Sequence, residues 1–104
     1  MSLFGKKTDI NKGISEYRNS SSALLLDVRE KEEYATGHIS EAVNLLLSGL
    51  VSMADKVIPD KETLLYLYCQ SGVRSAKATA RLKEIGYKNI INIGGINGYK
   101  GKLE

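Results

Sequence analysis

The sequence predicts an α/β fold, a small parallel β-sheet flanked by helices on both faces. Apolar runs and helix-period segments alternate along all 104 residues, the pattern of strand–helix–strand units. The two strongest runs, at residues 23–28 and 63–69, are almost continuously apolar, as strands buried on both faces are. No repeat, low-complexity tract or linker interrupts the order, so residues 1–104 read as one domain with one modest core.

Each element has its own signal. Ile10, Ile14 and Tyr17 fall at i, i+4 and i+7 and predict a first helix, with Thr8 or Asp9 as N-cap and Gly13 as a weak point. Ala23–Val28 is a strand broken in polarity only by Asp27. "EKEEYATG" is a short helical turn closed by Gly37, and "EAVNLLL" is a second strand. Leu50, Met53, Ala54 and Val57 share one helical face, and Pro59 ends that pattern. "TLLYLYC" is the strongest strand and ends at Cys69. A helix is expected from about Ser75 to Gly86. Ala78, Leu82 and Ile85 lie on one side of it, Lys77, Arg81 and Glu84 on the wet side. Ala76 and Ala80 form a small-residue face suited to close packing on a sheet. "NIINIGG" is a last strand, and "INGYKGKL" a final helical turn.

Composition excludes several functions. The net charge of +3 comes from scattered Lys and Arg, with no basic run interleaved with aromatics, so nucleic acid is not an expected partner. A mildly basic surface suits small anions or acidic proteins. One cysteine makes no internal disulfide, and one Cys with one His makes no conventional zinc site. No run approaches membrane-spanning length. The expectation is a soluble, cytoplasmic protein in a reducing compartment. Met1–Leu3 and Leu103–Glu104 are open to reading as expression-tag remnants.

The one cysteine stands where the strongest strand turns into a helix, in "YCQSGVRSAKA". Ligands of open α/β sheets bind beyond the carboxyl ends of the strands. Asp27-Val28-Arg29 sits at another such end. A lone cysteine at a strand end is most often a small buried hydrophobe. Here the neighbouring residues favour chemistry. Gly72 permits a sharp turn, Ser75 is a good N-cap, and the backbone from Gln70 to Ser75 is able to curl with N–H groups toward the sulfur. The helix end and Arg74 add positive charge. All of these favour thiolate, so the Cys69 pKa is expected to be low. The same cup would hold a charged group attached to the sulfur. Four residues, Gln70, Ser71, Gly72 and Val73, separate Cys69 from Arg74. A cysteine-type phosphatase uses five for its wider phosphate cradle, so the shorter loop suits one extra sulfur atom.

These stretches resemble a single-domain rhodanese, from about Thr8 to about Gly101. "LLLDVREKEEYATGHISEAVNL" is similar to the family's D-V-R followed by E-x-x-GHI-x-x-A-x-N. "LLYLYCQSGVRS" is similar to its C-x-x-G-x-R-S loop. "ARLKEIGYKNIINIGG" and "GGINGYKG" complete the resemblance. It implies a sulfurtransferase. By that resemblance, Cys69 takes a sulfane sulfur from a donor, thiosulfate or a persulfide, and passes it to cyanide, a thiol or a protein cysteine by ping-pong covalent catalysis that needs no metal or organic cofactor. It implies loop N–H groups of Gln70, Ser71, Gly72, Val73, Arg74 and Ser75 around the sulfur, and Arg74 closing the loop. Partners would be a small anionic or persulfide donor and a sulfur-donating or sulfur-accepting protein. A sulfur carrier with little turnover alone is the alternative, and a phosphatase or arsenate reductase on the same fold a weaker one.

The departures are Tyr99 in a usual Trp position, Glu41 in a usual Gly position, and neutral Gln70 and Ser71 where efficient thiosulfate users often carry a cation. Arg29 is a candidate for the pocket rim, against the simpler reading that it pairs with a nearby carboxylate. Asp27 is expected to hold loop N–H groups. His38 is expected to serve structure, since a loop-stabilised thiolate needs no base. Gly94 and Gly95 suggest a tight turn after the last strand, and Tyr66 and Tyr68 packing on the sheet.

Overall fold

The computed structural model describes residues 6–7 and 9–104. Thr8, the alternative first N-cap, lies outside them. Strands β1 (Lys6–Lys7), β2 (Leu24–Asp27), β3 (Val43–Asn44), β4 (Leu64–Cys69) and β5 (Asn89–Gly95) form one sheet in the order β1-β5-β4-β2-β3, every neighbouring pair parallel. Helices α1 (Ile10–Arg18), α2 (Lys31–Thr36), α3 (Leu50–Val57) and α4 (Val73–Glu84) connect them. The expected α/β architecture is therefore present.

The period-2 alternation of the central strands divides the core into two layers. Leu26, Leu65, Leu67 and Cys69 join Leu50, Ala54, Ala78 and Leu82 in the layer beneath α3 and α4. Leu25, Tyr66, Tyr68 and Ile93 join Ile10 and Ile14 of α1 in the other. Both layers are mostly apolar around β2 and β4, which explains their nearly continuous hydrophobic sequences. Tyr66 meets Tyr17 edge-on at 5.9 Å. The Tyr68 hydroxyl accepts the Ile39 N–H at 3.1 Å.

Asp9 caps α1, its carboxylate accepting the N–H groups of Asn11 and Lys12. The "EAVNLLL" strand is only Val43–Asn44. The Asp27 carbonyl accepts the Leu45 N–H, the Val28 carbonyl accepts that of Leu47, and a 3-10 turn at Leu47–Gly49 takes over. The helix expected from about Ser75 starts at Val73 instead, because Gly72 adopts the left-handed conformation (φ 104°) and serves as the N-cap. Ala76 and Ala80 are exposed, and the face that packs is Ser75, Ala78, Thr79 and Leu82. The final turn is a 3-10 turn at Ile96–Gly98. Leu103 and Glu104 are tied to the fold through Ile39 and His38.

Candidate active site

Cys69 closes β4, is 1% exposed, and packs its side chain into the layer beneath α4. The chain turns back over the sulfur at once. The Gly72 N–H reaches Sγ at 3.0 Å and the Ser75 N–H at 3.4 Å. Gly72 makes this possible, since its positive φ costs little without a Cβ. Burial pushes the Cys69 thiol up. Hydrogen bonding from the Ser75 side chain and from the backbone of Ser75, Gly72 and Ser71 outweighs it, and the thiol falls below its ordinary value. The expected low pKa is reproduced, with backbone and hydroxyl donors as the lowering contributions.

The loop is braced from the side by the end of β5. Leu67 pairs with Asn92 and Cys69 with Gly95, so β5 carries one residue more over that interval. It is a bulge, with Gly94 left-handed at φ 90°. Gly94 and Gly95 are thus the last residues of the strand, where a turn after it was expected. Gly95 lies so close to the loop that a Cβ there would press on the Gln70 carbonyl and stand 2.6 Å from the Ser71 Cα. The Asn97 N–H bonds the Gln70 carbonyl at 3.2 Å. The sequence signal for this brace is the Gly pair itself, whose partner cannot be read locally.

Two ion pairs organise the rim. Arg74 grips Glu33 of α2 with both terminal nitrogens, at 2.6 and 2.9 Å. That hydrogen bonding lowers the Glu33 carboxyl to about 2. Glu33 also accepts the Glu30 N–H at 2.8 Å, so one carboxylate starts α2 and anchors the loop arginine. The sequence offers Glu33 only as one possible partner of Arg29, and its pairing with Arg74 is not legible there, although its place three residues after Glu30 is a capping signal. Arg29 is 3% exposed and turned inward: it binds Asp27 at 2.7 Å and the Gly37 carbonyl at 2.7 Å. A charge this buried and this paired is a clamp between β2 and the end of α2, the pairing with a nearby carboxylate that was the simpler of the two readings. Asp27 also accepts the Arg29 N–H at 2.9 Å. His38 stacks on Tyr34 at 3.7 Å and bonds the Tyr34 carbonyl through Nδ1. Tyr99, in the usual Trp position, packs beside the α1 layer.

A buried low-pKa thiol inside a strand-to-helix loop, on a parallel sheet of this order, defines a class of cysteine-loop α/β domains. Within it the chain belongs to the rhodanese-like domain family, whose family model matches residues 11–102. It is 41% identical to the uncharacterized protein YqhL of Bacillus subtilis over 79% of this chain and 64% of that protein, so the match leaves about a third of that relative's length uncovered. It is 34% identical to the thiosulfate sulfurtransferase PspE of Escherichia coli over 68% of each chain. The crystal structure of a rhodanese-like domain protein from Staphylococcus aureus superposes with a TM-score of 0.78 at 28% identity, covering 95% of this chain and 96% of that one. Among the described residues no helix is long and apolar enough to cross a membrane.

Proposed function

We propose that the protein is a sulfurtransferase working through a Cys69 persulfide. The observation that carries this reading is the sulfur's setting: a thiol with a lowered pKa that accepts N–H groups from Gly72 and Ser75 at the start of α4. The Cys69 thiolate attacks the outer sulfur of a donor. A new S–S bond forms and the donor's own S–S bond breaks, its electron pair leaving on sulfite or on a thiolate. The persulfide's terminal sulfur then carries the negative charge, and the N–H groups of Gln70 to Ser75 face that charge in place of water. A nucleophilic acceptor, cyanide or a thiol, attacks this sulfur and Cys69 leaves as thiolate. Electrons and sulfur balance without metal or redox cofactor.

The loop's charge bears on the donor. Gln70 and Ser71 are neutral, and Arg74 shares its charge with Glu33. A persulfide, with one negative charge, suits this rim better than dianionic thiosulfate. A small-molecule or protein persulfide is the donor we propose, and a protein cysteine or small thiol the acceptor, in a compartment that keeps thiols reduced. Cys69→Ser, nearly isosteric, tests the assignment. It is expected to remove sulfur transfer while leaving the thermal midpoint within a few degrees of the parent. Retained transfer in that folded variant overturns the reading. Turnover of an aryl phosphate that requires Cys69 would favour a phosphatase instead.

A further inference from the structure

Asn92 is 4% exposed in the middle of β5, in register with apolar Leu67 and on the same sheet face as Cys69. A polar side chain is costly there unless bonded. Its Oδ1 takes two donors, the Gly94 N–H at 2.9 Å and the Ser75 hydroxyl at 2.8 Å. The Gly94 N–H can only donate, so the atom facing it is the amide oxygen. An amide oxygen has no proton, so Ser75 must be the donor in the second bond. The Ser75 hydroxyl has one proton to place. Its bonds go to the Asn92 oxygen at 2.8 Å and the Gly72 carbonyl at 3.1 Å, and the sulfur, which the backbone N–H of the same residue reaches at 3.4 Å, competes for that proton.

We propose that Asn92 is a positioning residue for the nucleophile: it draws the Ser75 hydroxyl proton away from the sulfur and so limits how far that hydroxyl stabilises the thiolate. With the proton on the Asn92 side, thiolate formation has to turn the hydroxyl and give up a 2.8 Å bond. The sulfur then stays more basic than the backbone cradle and a free Ser75 hydroxyl together would make it. That matters because an over-stabilised thiolate is a weaker nucleophile. The charged groups around the site are Arg74 of α4 with its partner Glu33 of α2, and the Asp27–Arg29 pair at the end of β2. None of these is altered in the comparison below.

The inference concerns the thiol assigned above. Alkylation needs no sulfur donor, so its outcome is separable from that of the sulfur-transfer reading. The rate of Cys69 alkylation by iodoacetamide is measured against pH in four proteins: parent, Asn92→Leu, Ser75→Ala and the double variant. Removing the acceptor frees the hydroxyl for the sulfur, so Asn92→Leu is expected to lower the titration midpoint by about half a pH unit, the size of one net hydrogen bond. Ser75→Ala is expected to raise it. The double variant should match Ser75→Ala, since the effect of residue 92 passes through the hydroxyl. A midpoint in Asn92→Leu that is unchanged or raised overturns the proposal. So does a lowering that persists in full without the Ser75 hydroxyl, which would mark a general loosening of the β5 bulge. Asn92→Val, smaller and well suited to a strand, gives the same reading should the leucine variant not fold.

Discussion

At the residue scale, side chains that look alike in the sequence have opposite fates. Arg29 and Arg74 both stand beside strand ends, yet one is buried as a clamp and the other braces the cysteine loop at the surface. Their difference was not legible, because each depends on a carboxylate placed by the fold. Glu33 gives the pair at the rim a pH signature. Its folded pKa of about 2 lies below the ordinary 4.5, so its contribution to stability is complete above about 4.5 and is lost as pH falls toward 2. Glu33→Gln should flatten that part of an acid-denaturation profile, measured by circular dichroism. An unchanged slope would mean the pair carries no stability. At Glu41 the backbone accounts for the glycine of the family pattern. It has φ 75°, a left-handed conformation that glycine adopts freely. Relief of roughly 1–2 kcal/mol of strain against roughly 0.5–1 kcal/mol of added chain entropy predicts that Glu41→Gly stabilises by about 0.5–1 kcal/mol in urea titration. Destabilisation would show that its exposed contact with Arg18 outweighs the strain.

At the scale of elements, what could be read was what is local. β4, the α4 pattern and the Cys69 turn are written in consecutive residues. The continuous apolar runs correctly marked strands buried on both faces. The start of α4 was misplaced because Ser75 looks like a cap, whereas the left-handed Gly72 already begins the helix and Ser75 turns inward to Asn92. The exposed Ala76 and Ala80 mislead because small residues fit equally well on a close-packed or a bare face. The contact of Gly95 with the Gln70–Ser71 backbone joins residues far apart in sequence, so no local pattern reveals it. It yields a sharp expectation. In Gly95→Ala the new Cβ meets backbone rather than a flexible side chain, so the loop must move. The N–H groups should then leave the sulfur and the alkylation midpoint should rise, with a loss of stability on the order of 1–3 kcal/mol typical of an overpacked site. An alkylation profile identical to the parent's would show that the loop position is not set by β5.

At the scale of the molecule, the sheet does two jobs with opposite faces. One layer holds α1 and the Tyr68 hydroxyl bond that anchors the 39–42 turn. The other delivers Cys69 to the N-terminus of α4 with its sulfur already facing donors. The parallel order places the ends of β2, β4 and β5 side by side, which brings Asp27, Cys69 and Gly95 into one rim. The rule for parallel sheets points to the Asp27 and Cys69 strand ends of that rim, whereas the place of Gly95 in it is set by the β4–β5 register. The charge network that ties it to α2 arises only once the chain is folded. The whole arrangement sets the Cys69 sulfur against backbone donors, which is the setting the proposed sulfur transfer requires.

The most direct test of that claim is the intact mass of the protein after incubation with a small-molecule persulfide, and separately with thiosulfate, each before and after cyanide. The account predicts a gain of one sulfur atom on Cys69, fuller with the persulfide, that cyanide removes and that is missing in Cys69→Ser. No sulfur adduct from either donor, with the thiol shown by alkylation to be free and reactive, would contradict it.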